Sequence, residues 1–176
     1  TEITSKEIGN PYFFFFFRDY VYKAMITLQK KEFGGIFIVK KLGPDWHRVV
    51  VTTELGSKFL DFSFEGDKFI VNYLLPEMDK KVLVNTLKND FRALITENPQ
   101  VLETFKKNDL EIFETKHDNE KYYYFYSDGQ LEKIIWDSGK KEKIEYLFLE
   151  CRENIANKIQ ITHKNISLQI TLNAIQ

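Results

Sequence analysis

Between residues 46 and 95 the hydrophobic period of the chain changes once, and that change limits the fold more than any other feature. Residues 46 to 53 read as a strand, and Leu60, Phe62 and Phe64 then alternate with Phe59, Asp61, Ser63 and Glu65. Glu65-Gly66-Asp67 supplies turn chemistry and reverses the chain into Phe69, Val71 and Tyr73. After Pro76 the period becomes helical: Val82 or Leu83, Leu87, Phe91, Leu94 and Ile95 recur every three or four residues, with Lys80, Lys88, Asn89 and Arg92 between them. Three strands in quick succession followed by one amphipathic helix, over about residues 78–95, predict an antiparallel sheet with a helix laid across one face.

The rest of the chain extends the sheet. From Tyr20, Ala24, Ile26 and Leu28 fall on one face of a strand, and Gly34-Gly35 is expected to mark a bulge or bend before residues 36–41 resume. Asn98 before Pro99 has the pattern of an N-cap and first-turn proline, so Val101, Leu102 and Phe105 predict a short second helix over about 99–106. Strands return at 112–115, 122–126, 131–136, 144–149, 158–163 and 166–172, the last with a clean alternation of Ile166, Leu168, Ile170 and Leu172. About eleven strands are too many for a flat sheet. The expected class is mainly β (α+β), a strongly curved antiparallel sheet or half-open barrel with one long mid-chain helix. A single domain over residues 1–176 is expected, with residues 1–10 loose. The run Phe13 to Phe17 has aromatics on both alternating faces, so it is expected to be covered, by the core or else by a partner, ligand or membrane surface.

Charge and motifs exclude several functions. The net charge is -1 and the pI about 6.3, so there is no global positive field to attract nucleic acid. Cys151 is the lone cysteine, which rules out an internal disulfide and a thiol metal pair, and it reads as a small core residue. His47, His117 and His163 lack metal-ligand spacing; His117 and His163 read as surface or turn residues and His47 as an edge or loop residue. No nucleophile elbow and no phosphate-cradling glycine loop is present. Asp61 and Glu65 share a face that looks solvated, and Tyr122 to Tyr126 read as sheet packing rather than base stacking. No apolar run reaches the roughly 18 residues of a membrane-spanning helix. The chain is therefore expected to have no catalytic residues, metal or cofactor, and not to be an enzyme. It starts at Thr1 without a charged-then-apolar signal region, which is expected of a mature piece trimmed of a leader.

What remains is shape. A curved sheet lined by Leu60, Phe62, Phe64, Phe69, Val71 and Tyr73, and covered by a helix bearing Leu87, Phe91 and Leu94, can pack solid or enclose an apolar cavity. An open cavity would favour acyl chains, because each buried methylene contributes roughly 0.8 kcal/mol and needs no directional partner.

The run from Trp46 through Leu55-Gly56 to Phe62, continuing into the helix at 80–95, resembles uncharacterised outer-membrane lipoproteins of Bacteroidota-type bacteria. More distantly it is similar to the lipoprotein carrier and receptor proteins of the Lol system. That resemblance implies a half-open barrel closed by helices, an acyl-chain cavity, and a location in the bacterial cell envelope, in the periplasm or at the outer membrane. It also implies peripheral attachment through a lipidated cysteine upstream of Thr1, since Cys151 lies too deep in the chain to serve. The expected function is non-enzymatic binding or carrying of lipid, acyl chain or acylated protein. The alternative is an envelope interaction module with a filled core and an exposed aromatic surface that docks a partner protein. A hydrolase or isomerase in a sheet pocket is a third and weaker expectation.

Overall fold

A computed structural model describes residues 8–16, 18–117, 119–139 and 143–175. Twelve strands form one antiparallel sheet in the order β5-β4-β3-β2-β1-β12-β11-β10-β9-β8-β7-β6. The first five run in chain order as β1 (Asp19–Leu28), β2 (Lys31–Gly43), β3 (Trp46–Thr52), β4 (Lys58–Glu65) and β5 (Lys68–Leu74). The one α-helix among the described residues, α1 (Lys81–Ile95), crosses from one sheet edge to the other. It leads to β6 (Gln100–Lys107), β7 (Leu110–His117), β8 (Glu120–Ser127), β9 (Gln130–Asp137), β10 (Lys143–Arg152), β11 (Ile155–His163) and β12 (Leu168–Ala174). Strands consecutive in the chain pair with each other except β5 and β6, and β12 returns to pair with β1, with Tyr22 facing Ala174 and Leu28 facing Leu168. β5 and β6 are the two edges, and α1 connects them.

Alternation sets the inner face. Tyr20, Tyr22 and Ala24 on β1, Phe37 and Val39 on β2, Val49 and Val51 on β3, and Leu168, Ile170 and Leu172 on β12 are all buried there. The apolar stripe of α1 meets them: Leu87, Phe91 and Leu94 are fully buried. Phe91 lies 5.3 Å from the Phe37 ring and 6.3 Å from that of Phe62. The curved sheet with one helix agrees with the sequence expectation.

Several expectations need correction. There are twelve strands rather than eleven, and the extra one is β6, where a second helix over 99–106 was predicted. Helical spacing and strand alternation are nearly indistinguishable over three apolar residues, and the unpaired edge of β7 decides the matter by pairing Phe105 with Ile112 and Thr104 with Phe113. A register shift between Val101 and Glu103 interrupts the regular alternation of β6 at its start. Gly34-Gly35 does not bulge: β1 and β2 stay in register past it, with Gly35 opposite Ala24. A side chain at Gly35 would collide with the Thr52 carbonyl, so this glycine permits close approach of β3.

The N-terminal segment departs furthest from expectation. Ile8 and Asn10, in the stretch expected to be loose, are buried, and so are Tyr12 and Phe13 in the 3-10 turn Pro11–Phe13. The aromatic run divides: Phe13 is buried, whereas Phe14, Phe15 and Phe16 are 49%, 41% and 42% exposed, which corrects the expectation that the run is buried in the core. Phe17 lies outside the described residues.

Candidate functional site: an apolar cavity beside the helix

The half-barrel has two unlike ends. One is filled by the N-terminal segment. Tyr12 packs on Phe148 at 5.0 Å and its hydroxyl donates to the Leu131 carbonyl, while Phe13 sits 5.3 Å from Tyr20 and 5.9 Å from Tyr22. Asn10 donates from Nδ2 to the Leu94 carbonyl at 2.7 Å, satisfying one of the acceptors that a helix C-terminus leaves open. Tyr126 donates its hydroxyl to the Gly9 carbonyl at 2.7 Å. A side chain at Gly9 would run into the Glu97 carbonyl, so the plug needs glycine there.

Buried charge lies at this filled end. Lys41 forms an ion pair with Glu97, both side chains being almost fully enclosed, and its ammonium also lies 4.3 Å and 4.4 Å from the Phe14 and Phe16 rings. His47, only 2% exposed, points Nε2 at the Phe13 carbonyl at 3.2 Å and lies 3.5 Å from Glu97. Burial pushes its pKa below the ordinary histidine value, against the Phe13 carbonyl and Glu97, which pull the other way. An edge or loop role for His47 is thus overturned.

At the other end the sheet and helix part. A cavity of about 950 Å³ opens there, between Ala24, Ile26 and Leu28 of β1, Phe33 to Gly35 of β2, Val51 of β3 and Phe59 of β4. The N-terminal half of α1 (Val82, Leu83, Thr86 and Leu87), Leu75 and Met78, Ile166 and Ser167 of the β11–β12 turn, and Leu168 at the start of β12 complete the wall. The lining is largely apolar, and the exposed side chains Gln29, Lys31, Glu77 and Lys80 also border it. The volume is at the upper end of the roughly 300–1,000 Å³ common for small-molecule pockets. A second hollow of about 180 Å³, between His47, Arg92, Glu97 and His117, is small and polar.

One buried ion pair ties the wall of this cavity to the sheet. Asp90, fully buried on α1, accepts from His163 Nε2 at 3.0 Å through Oδ1, and its Oδ2 lies 2.8 Å from the same nitrogen in the ion pair. His163 Nδ1 meets the carbonyl of Leu168, a cavity residue, at 2.9 Å. With an acceptor at each ring nitrogen, the imidazole favours its doubly protonated form. Burial lowers its pKa, but the Asp90 hydrogen bond and charge outweigh that and the net shift is upward. Burial raises the Asp90 pKa against the hydrogen bonds from His163 and Tyr146. His163 is therefore a core residue, not the surface or turn residue expected.

Of the residues predicted to line an apolar cavity, Leu87 borders this one and Phe64 borders the smaller hollow. Leu60, Phe62, Phe64, Phe91 and Leu94 lie in the packed core, and Phe69 packs on Phe62 at 5.0 Å and Phe64 at 5.2 Å. Val71 and Tyr73 are exposed on the edge strand β5. A register shift between Asp61 and Phe62 displaces β5 relative to β4. Asp61 is also not solvated as expected: Arg48 binds it through both oxygens, Lys58 and Asn72 add hydrogen bonds, and its pKa is held down at about 2, chiefly by Arg48. Cys151 is half-buried, with burial pushing its thiol pKa up. Tyr122 and Tyr126 pack against the core and Tyr124 lies within it, as sheet packing requires. Among the described residues, no group of histidine, cysteine and carboxylate side chains is placed to hold a metal ion, and no helix is long and apolar enough to cross a membrane.

No known protein-family model matches the chain, and no curated protein matches its sequence. Solved structures do match. A LolA superfamily protein from Nitrosomonas europaea superposes with a TM-score of 0.61 over 95% of this chain and 88% of its own, at 10% identity. A domain described as an outer-membrane lipoprotein-sorting protein from Vibrio parahaemolyticus gives a TM-score of 0.49 over 90% of this chain and 83% of its own, at 8% identity. At such identities the first likeness defines the fold: a LolA-like open curved sheet with a helix set against it.

Proposed function

We propose that the protein is a non-enzymatic binder or carrier of lipid, acyl chain or acylated protein in the bacterial cell envelope, acting as a single domain. The observation that carries this reading is the cavity. About 950 Å³ bordered by Ile26, Leu28, Phe33, Leu83 and Leu87 provides apolar surface without a directional partner, which suits hydrocarbon. The LolA-like fold supports the same reading by analogy. Leu60, Phe62, Phe91 and Leu94 would join the site where a long chain displaced α1 from the sheet.

Native mass spectrometry of the purified protein, with lipid extraction of the same sample, tests the proposal. Bound lipid, or uptake of added fatty acid, is the expected result. A protein that stays empty and takes up no added lipid would overturn it.

One observation favours a second reading, an interaction module. The exposed aromatics Phe14, Phe15 and Phe16 lie at the filled end, away from the cavity, where Leu42 and Trp46 are also exposed. That reading requires a partner protein that binds the wild type and is lost when Phe14 and Phe16 are replaced.

A further inference from the structure

The cavity's charged border has a sign. Lys31, at the start of β2, and Lys80, at the residue preceding α1, both border the opening, and Glu77 is the only carboxylate among the described lining residues. Both lysines are exposed, and neither forms an ion pair among the described residues. Elsewhere the chain often pairs its charges: Lys41 has Glu97, Arg48 and Lys58 have Asp61, and Lys121 has Glu114. Gln29 and Ser167 add neutral hydrogen-bonding groups to the same border.

Resting on the carrier reading above, we propose that the ligand is an amphiphile with an anionic head group, its hydrocarbon in the cavity and its head held by Lys31 and Lys80. An ammonium is a compact, mobile donor that suits either a carboxylate or a phosphate, so the shared chemistry is an anion on an acyl chain. Beside an apolar wall that excludes water, the attraction between head and lysine is stronger than it would be in bulk solvent. Glu77 works against a second negative charge, so a singly charged head fits this border better than a doubly charged one. The walls supply affinity for hydrocarbon in general, and the lysines supply discrimination among head groups.

The test compares amphiphiles of matched acyl chain: a fatty acid, a lysophosphatidylglycerol and a zwitterionic lysophosphatidylcholine, each competing with an environment-sensitive fluorescent probe. The wild type is expected to favour the anionic ligands over the zwitterionic one by about tenfold at low salt, with the preference shrinking as salt screens it. The Lys31→Gln, Lys80→Gln double variant should bring that ratio close to one, and circular dichroism should confirm an unchanged fold. Preference for the fatty acid alone would assign the head as a carboxylate, and preference for the phospholipid alone as a phosphate, both in support. Equal wild-type affinity for all three, or a ratio untouched in the double variant, would overturn the head-group proposal while leaving the carrier reading intact. Failure of every amphiphile to bind would overturn both.

Discussion

The two ends of the half-barrel are built from the same strands and end in opposite states. At the filled end, β1 contributes Tyr20 and Tyr22, and rings from Phe13 through Tyr22, Phe37 and Phe91 to Phe62 follow one another at 5 to 7 Å. At the open end the same strand contributes Ala24, Ile26 and Leu28, and β2 contributes Gly34 and Gly35. Ala24 and Gly35, which face each other across β1 and β2, leave free at this end the space that Tyr22 and Phe37 fill with rings one inward position further along, and the helix that is wedged at one end stands clear at the other. Side-chain volume along a continuous sheet is thus enough to place a plug and a cavity in one molecule.

The largest effect should come from cutting the packed half of α1. Phe91→Ala removes a ring seated between Phe37 and Phe62 and is expected to cost about 3–5 kcal/mol, whereas Leu83→Ala, at the cavity wall, should cost well under half of that. Urea denaturation of both variants checks the contrast, and equal losses would mean that the two halves of the helix are equally packed.

Next is the ion pair. His163→Gln keeps a donor near Asp90 but no charge, and a loss of about 2 kcal/mol is expected, hydrogen bonds to charged groups contributing roughly 1.5–3. The sign with pH follows from the shifts. His163 has a raised folded pKa, so its contribution is complete below an unfolded value of about 6.5 and fades as pH rises through the folded one. Asp90, also raised, acts in the same sense from about pH 3.9 upward. His47 has a lowered folded pKa, so its contribution is present above about pH 6.5 and fades as pH falls. Melting temperature against pH should therefore lose, in His163→Gln, the part of its decline that lies above about pH 6.5 and belongs to His163, and keep its acid decline and the decline due to Asp90. A variant with both limbs unchanged would place the proton elsewhere.

The smallest effect on stability is expected from Phe14→Ser with Phe16→Ser, about 1 kcal/mol. These rings are nearly half exposed, and the change mainly removes their contacts with the Lys41 ammonium. Loss of partner capture with a melting temperature close to wild type would favour the docking reading of the filled end. A collapsed fold would mean that the rings cover the Lys41 and Glu97 pair more than they face outward.

Much of the architecture was legible in the sequence because its signals are local. The period change after Pro76 marked α1, and the alternation from Ile166 to Leu172 marked β12. The buried polar groups carry a local signal as well, one that the reading of the sequence left unused: Asp90 sits three residues after Leu87 and four before Leu94 on the apolar stripe, Lys41 and His47 continue the inward alternations of Phe37 and Val39 and of Val49 and Val51, and His163 continues that of Ile159 and Ile161. Polar residues at inward positions are signs of buried pairs. The identity of β6 depended on an edge that β7 supplies, and the division of the aromatic run after Phe13 depended on the space left by Tyr20, Tyr22 and Phe148, neither of which is local. The cavity was placed too close to β5 because alternation fixes the face of a strand and not the height at which a distant helix leaves it.

The pairing of β1 with β12 also sets the order in which the molecule can form. β1 to β5 can zip into hairpins early, and β6 to β12 can do the same, but each group carries one side of the seam unpaired until Tyr22 meets Ala174. Loop closure over nearly the whole chain must precede that contact, so folding should be slow for a chain of this size, with the seam among the last elements to gain hydrogen-exchange protection. Until then the seam edge of β1 stays open to pairing with another chain, and a chaperone that shields it would act before any ligand can.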